Sequence, residues 1–500
     1  MVTASMNSFF GSLGRGTSAR HVLLAAVLVL PVAACSIDDI VKSKDPDIVL
    51  PGQLEGKAAL PNGLAAAIGD FQVAFSGTSG TEGQILYSAL LGDEFYITDT
   101  FGTRIEMDQR LISDNNSNNL PVFSNLQVAR TSTEAAAQRY VTLEATRGNA
   151  ADTTAFGSGR AEALALAGYT YILFAENYCE GVPFSEVDAS GVIIAGMPLT
   201  RSQVLRRALA RFAAADSALN VKTNTSTSIR SLVRVGRGRA YLDLVHKDSA
   251  ASQNTIYRDS AALAVAAVPT TFTYLIFHSE NTARENNSVW SFNNSQVRFS
   301  VSNSEGGNGL PYRTAFVNGV DVRTATNPTA VAGFDGGSTF LNLKYPERKV
   351  NVVLASGAEA RYIEAEDQLA NGNIQPFLDK LNVVRDAFQA YNQCYPLAVT
   401  AGTCTNPSAA LGPLSDPGTA AARIDLLFRE RAYTMWITSH RLGDMRRLVY
   451  QYGRTQDVVF PTGAFVRGNI NRTYGTDVSF PVPVEEKNNP NFQSCDNTKA

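Results

Sequence analysis

Histidine and tryptophan are scarce in this chain of 500 residues, with four of the first and two of the second. His21, His246, His278 and His440 stand far apart, and none falls in the His-Glu-x-x-His spacing of a zinc hydrolase. A Gly-x-Ser-x-Gly nucleophile elbow and a P-loop are also missing. No catalytic residue, metal site or cofactor is therefore expected. A formal charge of -3 and a pI near 5.9 exclude the basic surface of a nucleic-acid binder. Beyond the first segment no apolar run reaches the roughly 18 residues of a membrane span. The carboxylate pairs Asp93-Glu94 and Glu485-Glu486 could do glycosidic acid–base work only at a defined separation across a cleft. Adjacency in sequence does not set that separation, so solvated surface charge is expected for both.

What is present begins near the amino end. Arg15 and Arg20 precede an apolar stretch from Val22 to Leu30, and Val32-Ala33-Ala34 leads into Cys35. This is the order of a secretory leader, here ending as a bacterial lipoprotein signal does. About nine apolar residues are too few to cross a bilayer, whereas two or more acyl chains on Cys35 would anchor it stably. Residues 1–34 read as the leader and residues 35–60, polar and containing Pro and Gly, as a lipidated tether. The alternative is an ordinary leader with a chance cysteine, and a start at Met6 would change neither reading.

About 465 residues then remain, more than one hydrophobic core usually covers. Four cysteines are left, and an oxidising compartment permits two disulfides. Cys394 and Cys404 share a loop rich in Pro, Gly and Thr, and a bridge there would stabilise by about 2–3 kcal/mol. Cys179 with Cys495 follows only by elimination, and free buried thiols are the alternative. No cysteine pair has zinc-site spacing.

Helical periodicity comes in pairs. Ala161–Asn177 carries Leu164, Ala167, Gly168, Tyr171 and Phe174 on one stripe, and Ser202–Leu219 follows. Ile229–Val245 pairs with Tyr257–Val268, and Val353–Leu369 with Gln375–Phe388 across the turn Asn371-Gly372-Asn373. A fourth pair begins at Ala421 and turns near Ser439. Pairs of about 30–40 residues suggest tetratricopeptide-like repeats; an irregular bundle is the alternative. Asp99–Asn125 and Thr270–Lys344, rich in Asn, Ser, Gly and Thr, read as long loops with strand-like runs at Thr273–Phe277 and Ser288–Phe292.

Several separated fragments resemble the SusD/RagB family of outer-membrane nutrient-binding lipoproteins. Leu427-Phe428-Arg429-Glu430-Arg431 with His440-Arg441-Leu442-Gly443-Asp444-Met445-Arg446-Arg447 is similar to the family's ERxxE…GxRxxDLRR helix pair. Phe480-Pro481-Val482-Pro483, Glu485-Glu486 and Asn488-Asn489-Pro490-Asn491 resemble its FPIPxxExxxNPN ending. Ala358-Glu359 with Ala365-Glu366, and Asp321-Val322-Arg323 before them, resemble two further motifs. Gly181-Val182-Pro183-Phe184 resembles its GxVPL/F turn. Ser356 replaces the usual arginine, Thr434 or Met435 falls near the second glutamate, and Ser439 replaces a glycine, which marks the chain as divergent.

The resemblance implies a mostly α fold: tetratricopeptide-like helix pairs in a right-handed superhelical scaffold with loop-rich and small β insertions. One SusD-like domain would span residues 61–500, with the scaffold at about 155–270 and 350–450 and ligand-facing loops at about 90–130, 270–345 and 390–420. It also implies a lipid-anchored, surface-facing receptor that passes an oligosaccharide or peptide nutrient to a SusC/RagA-type TonB-dependent transporter. Ser36 after the cysteine suits outer-membrane sorting, and Asp38-Asp39 resembles a surface-export signal. A glycan hydrolase and a protein-binding adaptor are the rivals. Aromatic faces for sugar rings are offered in or near the loops by Phe95, Tyr96, Phe101, Trp290, Tyr312 and Phe334, and hydrogen bonds by Asn287, Asn308 and Arg313. Trp436 falls on an amphipathic helix and reads as core. Glu430, Arg431, Arg441, Asp444, Arg446 and Arg447 read as an ion-pair network locking the last helix pair.

Overall fold

A computed structural model describes residues 56–146, 148, 150–188, 190–220, 226–318, 321–388, 399–400, 403–404 and 411–500. The leader, Cys35 and most of the tether lie outside the described residues, as do Cys394 and its proposed bridge to Cys404. Among the described residues no helix is long and apolar enough to cross a membrane.

The first half is built from α1 (Leu60–Ser76), α2 (Gln84–Leu91), α3 (Gly102–Gln109), α4 (Asn119–Thr142), α5 (Ala150–Asn177), α6 (Arg201–Leu219), α7 (Thr227–Asp243) and α8 (Ala251–Val265). After a loop-rich stretch holding α9 (Tyr312–Val317) come α10 (Gly357–Ala370), α11 (Ile374–Ala387), α12 (Ala420–Thr434), α13 (Arg441–Tyr450) and the short α14 (Gln456–Val459). Helices pack as successive neighbours, α4 on α5, α5 on α6, α7 on α8 and α10 on α11, while α1 lies on α4. This is a mostly helical scaffold with small β insertions.

Local chemistry sets the helix ends. Thr200 and Gln203 form a reciprocal capping box on α6. Ser356, at the position where an arginine was expected, caps α10 by accepting from the Glu359 amide. The α10–α11 turn uses Gly372 at φ 75°. Packing is close where the ring of Phe212 on α6 enters between α5 and α7. A Cβ at Gly168 would lie 2.7 Å from that ring, and one at Gly236 would lie 2.3 Å from it. The small residues anticipated at 167–168 therefore serve close helix approach.

Seven small antiparallel pairings lie among the described residues, and four of them are the longer ones or border the site. β1 (Phe95–Ile97) pairs with β3 (Phe299–Val301), with Tyr96 opposite Ser300. β2 (Thr273–Ile276) pairs with β6 (Val352–Ser356), β4 (Val331–Ala332) with β5 (Ser338–Thr339), and β7 (Ala464–Arg467) with β8 (Ile470–Thr473).

Three expectations are corrected. Residues 352–356 are strand, not the start of a helix; a short apolar run does not separate the two by period. Ser288–Phe292 is not a strand but leads into a π-helical turn, Trp290–Ser295. The 99–125 loop contains α3 and the first turns of α4. In α4 the buried stripe Val122, Leu126, Ala129, Thr133 and Ala136 is diluted by Thr, Ser and Gln, which hid its period.

Candidate functional site

The helical scaffold is closed by buried charge. Glu430 on α12 receives Arg323 at 2.7 Å and Arg385 of α11 at 2.9 Å. Arg323 is held from its other side by Asp321. Arg431 and Asp444 form a bidentate pair at 2.8 Å on both arms, and Arg447 contacts Asp444, Glu366 and Asp243. Burial alone would raise the Asp444 carboxyl, but Arg431 and Arg447 hold it below its usual range. Thr434, near the family's second glutamate, accepts from Arg323. The sequence reading grouped Arg441 and Arg446 with these pairs, and the structure corrects both. Arg446 caps the end of α5 through the carbonyls of Glu176 and Tyr178, and Arg441 makes no ion pair among the described residues. The network also takes in Arg239–Glu176 and His440–Glu359, which no local pattern announced.

A different arrangement stands on the β1–β3 edge. Asp99, just after β1, bridges two guanidinium groups, Arg104 at 2.6 Å and Arg298 at 2.7 Å. These arginines alternate with phenylalanines. Arg104 lies 5.0 Å from the Phe292 ring and 4.8 Å from Phe101; Arg298 lies 4.9 Å from Phe101 and 3.6 Å from Phe334. The outer members remain open: Phe101 is 47% exposed and Phe334 49%. Val297, before Arg298, has φ 50°, a conformation that strains a β-branched residue by about 1–3 kcal/mol. It is held there because its carbonyl accepts from the Phe334 amide at 3.0 Å and from the Thr98 hydroxyl at 3.0 Å. Strain thus fixes the arginine between the two rings.

The β4–β5 hairpin carries this surface across to Tyr96. The Tyr96 hydroxyl donates to the Ser338 carbonyl at 2.7 Å, and Arg467 lies 4.8 Å from its ring. Arg467 is itself neutralised by Asp108 and Glu305. Burial raises the Tyr96 hydroxyl above its ordinary range, against the Ser300 hydrogen bond and the nearby charge of Arg313. Arg313 rests 3.6 Å from the Phe340 ring. The result is a half-open surface of aromatic faces separated by fixed guanidinium groups. Aromatic faces suit the C–H faces of sugar rings, and the polar edges beside them suit hydroxyls.

Of the nine ligand residues expected from sequence, Tyr96, Phe101, Phe334 and Arg313 meet here. Phe95, Tyr312 and Asn287 are fully buried, so they are corrected to structural roles. Phe95 packs edge-on against Phe299, Tyr312 against Tyr433 and Trp436, and Asn287 donates to the Val350 carbonyl. Asn308 is spent on the carbonyls of Asp457 and Phe460. Trp290 is half-buried, its ring beneath Arg348, and no contact among the described residues ties it to the Tyr96–Phe334 surface. Arg104, Arg298 and Phe340 were not anticipated. The link between Asp99 and Arg298 spans 199 positions, beyond any local sequence signal.

Asp93 and Glu94 are also corrected: both are buried rather than solvated. Burial pushes Glu94 up to about 7 and Lys344 down to about 7, each opposed by the other's charge. Glu94 accepts from the Ile437 amide at 2.7 Å, and Lys344 donates to the Trp436 carbonyl, so together they hold the α12–α13 turn. Cys179 and Cys495 are joined as a disulfide that ties the end of α5 to the C-terminal segment. An apolar groove lined by Leu60, Leu64, Ile68, Tyr140, Phe156 and Glu162 lies between α1, α4 and α5, and none of the expected ligand residues lines it.

No family model and no curated protein matches the chain. Solved structures do. A SusD superfamily protein from Parabacteroides distasonis superposes with a TM-score of 0.60 at 13% identity, over 87% of this chain and 98% of that one. A SusD homolog from Bacteroides thetaiotaomicron gives 0.60 at 12% identity, over 87% and 96%. A SusD-like carbohydrate-binding protein from Bacteroides vulgatus gives 0.53 at 12% identity, over 84% and 89%. The chain has the SusD fold, almost end to end with these structures.

Proposed function

We propose that this chain is a divergent SusD/RagB-type receptor: a lipid-anchored, surface-facing protein that captures an oligosaccharide and delivers it to a SusC/RagA-type TonB-dependent transporter. The observation that carries the reading is the open Phe101–Arg298–Phe334 stack, continued to Tyr96 on a SusD-fold body. The carbohydrate-binding neighbour from Bacteroides vulgatus, the lipoprotein-like leader and the ordered family motifs support it. The domain plan follows: leader 1–34, lipidated tether 35–60, receptor 61–500. The apolar faces of a sugar would stack on Phe101 and Phe334, while its hydroxyls meet the polar edges between them. A hydrolase would need two carboxylates facing one open cleft, and Asp93 and Glu94 are instead enclosed by the core. The decisive experiment is a gentle-detergent pull-down of the tagged, lipidated protein from its native membrane. Co-purification of a TonB-dependent barrel is expected; recovery of the protein alone, under conditions that preserve such complexes, rejects the transporter partnership.

A further inference from the structure

Four arginines lie against the aromatic surface, and three have their charge answered within the protein; the first, Arg104, is paired with Glu82 and Asp99. Arg298 is paired with Asp99, and Arg467 with Asp108 and Glu305. Arg313 differs. It is half-buried, stacked 3.6 Å from the ring of Phe340, whose backbone bonds to Ser300 opposite Tyr96, and it makes no ion pair or hydrogen bond among the described residues. Phe340 is in turn fixed by the Ser300 hydroxyl, at 2.9 Å from its amide. The guanidinium is thus held in place by a ring and not by a carboxylate.

Stacking covers a face of a guanidinium but leaves its edge, where the donors lie, free for a bidentate partner. A carboxylate is the planar, two-oxygen group that fits that edge. Part of the ordering cost of binding is already met, because the ring limits where the side chain can go. Resting on the receptor reading above, we propose that the captured oligosaccharide is acidic, and that Arg313 receives a sugar carboxylate while neighbouring rings stack on the aromatic faces. Arg313 is then the residue that separates acidic from neutral glycans, and the Phe101–Arg298–Phe334 stack is the part indifferent to charge.

The test uses the full-length lipidated protein in gentle detergent on an immobilised panel of acidic and neutral glycans, with uronate- and sialate-bearing chains beside matched neutral ones and carboxyl-terminal peptides as a further arm. Retained glycans are expected to carry carboxylates, and methyl esterification of a retained uronate chain is expected to weaken binding by about 10- to 100-fold. Raising salt should weaken the acidic ligand as well. Arg313→Gln should reproduce the loss on esterification, and the ester should bind Arg313→Gln and the wild type alike. Arg313→Lys, which keeps charge but loses the planar fork, should recover only part of the affinity. Phe101→Ala should weaken the acid and its ester by the same factor. Retention of neutral glycans or peptides alone overturns the acidic-ligand assignment and leaves a receptor standing. Retention of nothing overturns both. An Arg313→Gln protein that keeps its melting midpoint and its full preference for the acid also overturns the assignment.

Discussion

The seam between α12 and α13 and the surface around Phe101 both combine arginine with carboxylates and rings, and they differ in what they leave open to solvent. In the seam each ion-paired guanidinium meets carboxylates edge-on: Arg431 with Asp444, Arg447 with Asp444 and Glu366, Arg323 with Asp321 and Glu430. The charges are buried. At the β1–β3 edge guanidinium groups meet rings face-on, and Phe101 and Phe334 remain about half exposed. Each region also holds a β-branched residue at positive φ, Ile437 in the seam at 52° and Val297 at the edge at 50°. Ile437 is pinned by Glu94 and Tyr345 inside the core, Val297 by the loops that present Arg298. The same side chain therefore closes a helical scaffold in one place and supports an open surface in the other.

The contrast predicts where substitution costs stability. Glu430→Ala removes the shared partner of Arg323 and Arg385 and leaves buried charge uncompensated, a loss of about 3–5 kcal/mol. Urea unfolding should register it, and a midpoint unchanged from wild type would show that the seam does not hold the fold. Glu94 and Lys344 come next. Glu94 is raised from 4.5 to about 7, so the stability it provides is complete below about pH 4.5 and lost as pH rises towards 7. Lys344 is lowered from 10.5 to about 7, so its contribution is present above pH 10.5 and lost as pH falls towards 7. Glu94→Gln should therefore flatten the acidic limb, by at most about 1.4 kcal/mol per pH unit, and leave the alkaline limb. Parallel wild-type and variant curves between pH 5 and 7 would remove Glu94 from the account. Gly236→Ala comes third, because a methyl 2.3 Å from the Phe212 ring must displace it against α5. Overpacking of this kind costs about 1–3 kcal/mol, more than the gain in helix propensity of about 1 kcal/mol. A raised melting midpoint would mean that Phe212 has room to move.

The sequence was most readable where contacts are local. The pairs at 161–219, 229–268 and 421–450 show their apolar stripes and caps within one or two helices. The motif fragments pointed to the SusD fold although identity to the solved structures is only 12–14%. The surface at Phe101 was half readable. Tyr96, Phe101, Phe334 and Arg313 stood out as aromatics and a cation in loops. Phe95 looked the same as its neighbour Tyr96, and only strand alternation, with Phe95 inward and Tyr96 outward, separates them. Arg298 and Asp99 come together across 199 positions through a strained turn, and neither the distance nor the strain leaves a mark in a single sequence. Asp93-Glu94 was misread for a related reason: adjacent carboxylates usually mean solvent, and the strained Ile437 turn that needs Glu94 lies 343 positions away.

The smallest effect on stability is expected at Phe334, and it divides the two regions most sharply. Half the ring faces water, and it stacks on the guanidinium of Arg298, which keeps Asp99 when the ring is gone. Phe334→Ala should therefore cost only the exposed cation–π contact, about 0.5–1 kcal/mol. Its effect on a retained glycan should be larger, about 1–3 kcal/mol, because a ring that stacks on sugar is lost. Scaffold substitutions should do the reverse, lowering the melting midpoint while leaving affinity intact in whatever fraction stays folded. Calorimetric titration beside thermal unfolding of the same protein measures both quantities. If Phe334→Ala lowers stability by several kcal/mol and leaves binding unchanged, the stack belongs with the seam as structural packing, and the ligand surface must be sought elsewhere, first in the groove between α1, α4 and α5.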